Sequence, residues 1–212
     1  MAAQLRQYGV RGAVAALVAA AALVLAGCGS GSSGGVAGAT PSDPGGSTMA
    51  SSTAPASAAP LARSVPARLR IPAIGVDTSV MQVGLNPDGT VGVPPIEANA
   101  PAAWYNGSPT PGQTGPSVIL GHVTVGSYGD GIFLHLGRLH AGDQVEVTLQ
   151  DGVTAVFRVD SVQTVGKSNF PTNAVYGNVD HPALRLITCG GPHLSGGGYP
   201  DNVIVYASLS GS

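Results

Sequence analysis

The chain has 212 residues, of which only 9% are charged, and a formal net charge of −2. This length is enough for one domain with additional segments. The sequence has no basic cluster of the kind that marks a nucleic-acid-binding protein, so we expect no nucleic-acid partner. Cysteine occurs twice, as Cys28 and Cys189. If Cys28 is modified, Cys189 has no partner for a disulfide and remains a free thiol.

The first 27 residues have the pattern of a secretion signal rather than of a folded segment. Two arginines precede an apolar run of Ala, Val and Leu over residues 12–26, which is short for a membrane span of about 20 residues. The run ends in Leu25-Ala26-Gly27-Cys28, which resembles the lipobox of bacterial lipoprotein signal peptides. The resemblance implies cleavage before Cys28 and lipidation of its thiol. An uncleaved anchor is the alternative, and both place the remainder outside the cytoplasmic membrane.

Residues 28–64 are rich in Gly, Ser, Ala, Thr and Pro. Such a composition offers little apolar surface to offset the entropy of ordering, so we predict a flexible tether. About 35 residues of random coil span roughly 30–35 Å, enough to lift a domain off a membrane into a cell wall.

Residues 65–212 show short runs of β pattern separated by turn signals. Predicted strands cover residues 68–72, 75–83, 91–95, 117–122, 144–149, 153–165, 184–189 and 203–209. A short helix is predicted within residues 98–105, and a helical turn at residues 132–136. Many short strands with little helix favour a mainly β fold, a closed or nearly closed barrel of seven or eight strands.

Two of these strands end in a reactive side chain. Residues 184–191, Leu-Arg-Leu-Ile-Thr-Cys-Gly-Gly, are apolar on both faces, so the strand is predicted to be buried on both sides and to stop at Cys189. Residues 118–122, Val-Ile-Leu-Gly-His, form a second apolar strand that ends in His122. A cysteine and a histidine at strand ends indicate a nucleophile with its proton partner. The alternatives are an inert buried cysteine and a structural loop histidine.

Further motifs extend this pattern over the whole of residues 66–209. They are Arg-Leu-Arg-Ile-Pro-Ala-Ile-Gly-Val at 68–76, Val-Gly-Leu-Asn-Pro-Asp-Gly-Thr at 83–90, Trp-Tyr at 104–105, Gly-His-Val at 121–123, Phe-Pro-Thr at 170–172, Leu-Ile-Thr-Cys-Gly-Gly at 186–191 and Tyr-Pro-Asp-Asn-Val-Ile-Val-Tyr-Ala at 199–207. In this order and spacing the chain resembles the sortases, most closely the class F, actinobacterial type.

The resemblance implies a cysteine transpeptidase or hydrolase that needs no cofactor. Sortases cleave a Leu-Pro-x-Thr-Gly-like sorting signal after Thr, hold the acyl group on cysteine and pass it to an amine. By position Cys189 would be the nucleophile and His122 the acid and base. Partners would be secreted proteins with a C-terminal sorting signal, a peptidoglycan precursor amine and the membrane that holds the anchor. The expected location is the outer face of the bacterial cytoplasmic membrane and the cell wall.

One feature departs from the family pattern. Many sortases carry an arginine beside the last strand, which stabilises the oxyanion, and in class F patterns it often stands where Pro200 stands here. The predicted substitutes are the backbone near Gly190, with Tyr199, Asn202 or Arg185 nearby. The arginines considered for this role are Arg68, Arg70, Arg138, Arg158 and Arg185.

The missing arginine leaves a second hypothesis open, a lipoprotein that binds sorting signals with weak turnover or none. An L,D-transpeptidase also uses Cys and His, but its usual Ser-x-Gly-Cys motif is absent. A zinc site of His181, Cys189 and His193 matches no standard ligand spacing, so no metal is predicted.

Overall fold

The computed structural model describes residues 58–212, which form a closed barrel of eight strands. The strand order around the barrel is β1-β2-β3-β4-β7-β8-β6-β5. The pairs β2–β3 and β4–β7 are parallel, and the other pairs are antiparallel. The prediction of a mainly β, closed barrel is therefore confirmed. Within residues 58–212, no helix is long and apolar enough to cross a membrane.

The elements have the following bounds. The strands are β1 (Pro66–Ile71), β2 (Val76–Val83), β3 (Ala102–Tyr105), β4 (Gly115–Leu120), β5 (Gln144–Leu149), β6 (Thr154–Gly166), β7 (Pro182–Gly190) and β8 (Asp201–Gly211). One α-helix, α1, spans Thr172–Tyr176. Short 3₁₀ turns occupy Pro72–Ile74, Gly126–Tyr128, Leu136–Arg138 and Lys167–Asn169.

Strand β7 lies between β4 and β8 and is buried on both faces, as its sequence predicts. Leu184 and Leu186 point into the barrel and join its core with Trp104 and Phe157. The next residue along, Ile187, belongs to a second cluster on the outside of the barrel. Alternation along one strand thus serves two hydrophobic cores.

Helix α1 covers part of that outer face. Its Val175 is fully buried and packs in the outer cluster with Val118, Leu120 and Ile187. Tyr176 extends the cover with an edge-on contact to Tyr105, at 6.4 Å between ring centroids. Beyond Ile187 the end of β7 is not covered in the same way, and Cys189 is half-buried.

The prediction of a helix within residues 98–105 is wrong, because residues 102–105 are strand β3. This segment pairs in parallel with β2, Val80 opposite Ala102 and Val83 opposite Tyr105. The segment 91–95 is not a full strand either, since its bridge joins only Val91 to Leu85. Ala-rich sequence favours helix locally, and the long-range pairing with β2 overrides that preference.

Two further differences concern short elements. The helical turn predicted at residues 132–136 lies slightly later, as the 3₁₀ turn Leu136–Arg138 preceded by hydrogen-bonded turns. Helix α1 was not predicted from the sequence, because five residues are too few to show a helical period.

Residues 58–64, the last part of the predicted tether, pack on the barrel. Leu61 contacts the core and its N–H donates to the carbonyl of Gly112 at 2.8 Å. The N–H of Ser64 donates to Thr110 Oγ1 at 3.3 Å. The folded part therefore begins by residue 58 rather than at residue 65. The predicted signal at 1–27 and the earlier part of the tether, with Cys28, lie outside the described residues.

Candidate active site

The predicted nucleophile and its histidine lie at the ends of two neighbouring parallel strands. The register of β4 and β7 sets Leu120 opposite Ile187, and each chain then continues by two residues to His122 and Cys189. Two hydrogen bonds join these ends: Gly121 N–H donates to the Ile187 carbonyl at 3.1 Å, and Thr188 Oγ1 donates to the Gly121 carbonyl at 2.8 Å. The pairing of β4 and β7 therefore brings both residues to the same end of the barrel.

Both side chains line one cavity of about 340 Å³. Much of its wall is apolar, formed by Val93, Ile96, Leu120 and Ile187 among others. A mostly apolar concave site with a few converging polar groups is the usual form of a ligand pocket. Cys189 has a free thiol and is half-buried, so the sulfur is shielded yet within reach of a ligand.

The hydrogen bonds of His122 define its resting tautomer. Its Nε2 lies 2.8 Å from the carbonyl oxygen of Pro94. A carbonyl only accepts, so in the neutral ring Nε2 carries the hydrogen and Nδ1 is the basic nitrogen. A second carbonyl contact fixes the backbone, since Phe133 N–H donates to the His122 carbonyl at 3.0 Å.

Two glycines make room for this histidine. A Cβ at Gly121 would lie 2.6 Å from the ring of Phe133, which is fully buried in the core. A Cβ at Gly131 would overlap the carbonyl group of His122. Only glycine fits such close backbone approaches. The glycine of the Gly-His motif is therefore required by packing against Phe133.

The loop between β7 and β8, residues 191–200, reaches across the cavity. Tyr199 Oη donates to Thr124 Oγ1 at 3.2 Å, and the Tyr199 ring stacks edge-on against His193 at 5.1 Å between centroids. Tyr199 and Asn202 both line the cavity, and Asn202 is 5% exposed. Gly190 is buried at the end of β7, where its pairing with Asp201 is the last of the β7–β8 ladder. These three predicted residues therefore lie near Cys189.

Arg185 lies elsewhere. Its Nε donates to the Ala174 carbonyl in α1 at 3.3 Å, and its NH1 donates to the Leu184 carbonyl at 3.1 Å. The guanidinium stacks on the Tyr206 ring, 4.7 Å from the centroid. Burial lowers the pKa of Arg185, partly offset by the nearby Tyr206 and Asp160. Arg185 does not contribute to the cavity wall. Its role is to hold α1 against β7, and we drop it from the candidates for the oxyanion.

Sequence reasoning missed one cavity residue, Lys167, the chain's single lysine. The cations predicted from the sequence for the oxyanion were all arginines. The signal available was its position two residues after a predicted strand. No group of three or more His, Cys, Asp or Glu side chains within residues 58–212 is arranged to hold a metal ion.

The model of the Sortase domain matches residues 69–210, which is most of the chain. The chain belongs to the sortase family. Sortases are cysteine transpeptidases, typically associated with the cell envelope.

Solved sortase structures share the barrel. Sortase A from Corynebacterium diphtheriae superposes with a TM-score of 0.54 at 21% identity, covering 71% of this chain and 63% of that one. A Sortase D5 transpeptidase from Clostridium perfringens gives 0.52 at 20% identity, covering 69% and 79%. Sortase C-1 from Actinomyces oris gives 0.51 at 20%, covering 69% and 74%. The match thus spans less than two thirds of the Corynebacterium chain. No curated protein matches.

Proposed function

We propose that this sortase-family protein is a transpeptidase that cleaves a Leu-Pro-x-Thr-Gly-like signal and transfers the acyl group to an amine. The observation that carries the proposal is the shared cavity of Cys189 and His122 at the ends of β4 and β7. A thiol and an imidazole that line one pocket large enough for part of a peptide support acyl transfer through a thioester.

The proposed acylation step begins with proton transfer from the Cys189 thiol to His122. The thiolate then attacks the carbonyl carbon of the signal's Thr, forming the C–S bond while the carbonyl electron pair moves onto oxygen. When the oxyanion collapses, the C–N bond breaks and the imidazolium of His122 protonates the leaving amine. An incoming amine reverses the sequence, losing its proton to His122 and releasing the Cys189 thiolate.

The resting tautomer has a consequence for that step. Because Nε2 of His122 is engaged by the Pro94 carbonyl, Nδ1 is the nitrogen that would receive the thiol proton. The same carbonyl would stabilise the imidazolium, since both ring nitrogens then donate.

The cavity wall supports the choice of substrate class. Apolar side chains of Val93, Ile96, Leu120 and Ile187 suit the Leu and Pro of a sorting signal. Tyr199 and Thr124, joined by a hydrogen bond, also line the cavity. The proposed donors are secreted proteins with a C-terminal sorting signal, and the proposed acceptor is a peptidoglycan precursor amine.

The finer class and the anchoring are part of the same proposal. The motifs of the chain favour class F, and the Leu25-Ala26-Gly27-Cys28 motif favours a lipoprotein held on the outer face of the cytoplasmic membrane. A tether ahead of the barrel would place the cavity within reach of the cell wall.

A second candidate function is capture of sorting signals with little or no turnover. Pro200 favours it, because it stands where an arginine often stands in class F patterns. None of the arginines at positions 63, 68, 70, 138, 158 and 185 contributes to the cavity wall within residues 58–212.

The test is trapping of the acyl-enzyme. The full-length protein is incubated with a Leu-Pro-Ala-Thr-Gly peptide, with and without hydroxylamine, and analysed by intact mass and peptide mapping. The transpeptidase hypothesis expects an acyl adduct on Cys189, which hydroxylamine converts to a peptide hydroxamate. Cys189→Ala, the matched control, should bind peptide and form neither product. His122→Ala should lower turnover by about 10²–10⁴-fold.

Two results would decide against the proposed function. Peptide binding with no adduct in the wild type would identify the capture protein instead. Cleavage that persists in Cys189→Ala would assign the nucleophile to another residue.

A further inference from the structure

The cavity wall contains a positive charge that was not predicted from the sequence. Lys167 immediately follows β6 and lines the cavity together with Cys189 and His122. Its side chain is half-buried. The ion pairs within residues 58–212 join Arg68 to Asp77, Arg70 to Glu146 and His181 to Asp180, and none involves Lys167. The ammonium of Lys167 is therefore free to meet a negative charge that forms inside the cavity.

The strand register explains how Lys167 reaches this site. Strand β8 pairs on both sides, and its Asn202 lies opposite Cys189 of β7 and opposite Val165 of β6. Residues paired across a sheet project from the same face, and so do residues two apart along a strand. The ladder continues past Gly166, since Lys167 N–H donates to the Pro200 carbonyl at 3.0 Å. Lys167 therefore shares the face of Cys189 and Asn202.

The distance suits a lysine. Two strand spacings of about 4.8 Å and two residues of about 3.3 Å separate the Cα atoms of Lys167 and Cys189 by about 12 Å. The flexible four-carbon stem of lysine spans much of this gap, leaving room between ammonium and sulfur for a peptide carbonyl. Asn202, between the two in the sheet, is buried at that position.

The arginines of the barrel have other partners or lie outside the cavity wall. Arg185 is held by two carbonyls and the Tyr206 ring. Arg68 and Arg70 form exposed ion pairs on β1, and Arg158 donates to the Gly142 carbonyl. Arg138 is exposed in a 3₁₀ turn. Among the Lys and Arg side chains of residues 58–212, Lys167 alone contributes to the cavity wall.

We propose that Lys167 is a catalytic residue whose ammonium donates a hydrogen bond to the oxyanion formed when the Cys189 thiolate attacks the substrate carbonyl. The inference rests on the proposed function. As the C–S bond forms, the carbonyl π pair becomes a negative charge on oxygen, and Lys167 meets that charge without giving up its proton. The charge is neutralised again when the C–N bond breaks. A cation at the wall of a partly closed cavity stabilises this state more than the neutral substrate, so it acts on the rate.

The test compares Lys167→Met with the wild type in the full-length protein. Methionine keeps an unbranched side chain of similar length and removes the charge. With a Leu-Pro-Ala-Thr-Gly peptide, whose variable residue is neutral, we expect kcat for acylation to fall by about 10²-fold and KM to change little. Lys167→Arg should recover most of the rate. Arg138→Met, which removes an exposed cation outside the cavity, is the matched control and should behave as wild type.

A second measurement separates the oxyanion from the thiol. Alkylation of Cys189 by iodoacetamide needs the thiolate but forms no oxyanion. Lys167→Met should therefore be alkylated at nearly the wild-type rate. A fall in alkylation proportional to the fall in acylation would overturn the proposal, because the lysine would then act on the sulfur.

Other results would also overturn it. A Lys167→Met variant that acylates at nearly the wild-type rate, or one whose loss lies in KM alone, would remove Lys167 from the oxyanion. Each of these two results requires an active wild type, so neither would contradict the proposed transpeptidase function. A wild type that forms no acyl-enzyme would instead overturn the proposed function, and the role of Lys167 with it.

Discussion

At the scale of single residues, the approach of His122 to the cavity is set by backbone packing. The carbonyl of His122 lies against Gly131 and accepts the N–H of Phe133. The ring is held by a hydrogen bond from Nε2 to the Pro94 carbonyl. The position of His122 therefore depends on two other segments, one at Pro94 and one at residues 131–133, and a small shift of either would move its basic nitrogen.

The first prediction concerns Gly131→Ala. The new methyl would overlap the His122 carbonyl and lie 2.9 Å from its Cβ, so the backbone must move. We expect a loss of about 1–3 kcal/mol in the free energy of unfolding. A displacement of His122 by about 1 Å can reduce kcat/KM by about 10²-fold. Chemical denaturation and peptide cleavage measure the two effects.

Gly196→Ala is the control for that variant, because a Cβ there meets no atom within 4 Å. It should leave both stability and cleavage unchanged. Wild-type activity in Gly131→Ala would show that the position of the His122 backbone does not limit the reaction.

At the scale of elements, the ends of β4 and β7 act as one unit. Thr188 is 4% exposed, and its hydroxyl donates to the Gly121 carbonyl at 2.8 Å. This side-chain bond continues the parallel ladder past the last paired residues, Leu120 and Ile187. The relative position of nucleophile and histidine thus depends on a hydrogen bond outside the regular sheet.

The second prediction follows from that bond. Thr188→Val keeps the shape of the side chain but leaves a buried carbonyl without its donor, which typically costs about 1–3 kcal/mol. We expect lower stability and a lower acylation rate. Thr188→Ser, which keeps the hydroxyl, should retain most of both. If Val and Ser variants cleave peptide equally well, the bond has no part in aligning the site.

A third prediction concerns Tyr176 in helix α1. Burial, reinforced by nearby Tyr105, raises the pKa of Tyr176 from 10.0 to about 12. A raised pKa in the folded state means that the stabilisation is complete below pH 10 and is lost as pH rises towards about 12. Tyr176→Phe should therefore flatten the fall in unfolding free energy over this range, an effect of up to about 3 kcal/mol. Urea denaturation at stepped pH measures it.

The control for Tyr176 is Tyr128→Phe, because Tyr128 is 59% exposed and lies away from α1. It should leave unchanged the alkaline limb, which is the fall in unfolding free energy above pH 10. Part of that limb should persist in Tyr176→Phe, since burial also raises the pKa of Tyr206. Identical alkaline limbs in wild type and Tyr176→Phe would contradict the prediction.

At the scale of the whole molecule, the proposed function requires the barrel to be held near the cell wall. The fourth prediction is that Cys28→Ser removes the lipid attachment point implied by Leu25-Ala26-Gly27-Cys28. The protein should then move from the membrane fraction to the medium or accumulate as an unprocessed precursor. Cell fractionation with metabolic labelling by a fatty acid measures this. Unchanged size and fractionation would indicate an uncleaved anchor instead.

The sequence by itself determined the mainly β class, because alternating or doubly apolar runs with turn residues between them are local signals. Seven of the eight predicted strands match observed strands closely, including β7 with its two buried faces. That Cys189 and His122 lie at strand ends was also predictable, since each stands next to glycine at the end of an apolar run. Their catalytic roles, which the family motifs imply, remain a proposal.

Tertiary structure decided what depends on pairing between distant segments. Residues 102–105 are a strand because β2 lies beside them, not because of their own preference. Arg185 and Lys167 look similar in sequence, each a lone cation near a strand end. The first is enclosed by α1 and Tyr206, whereas the register of β6, β8 and β7 sets the second on the face of Cys189. Strand register is a long-range property, so only the closed barrel distinguishes the structural cation from the one that lines the cavity.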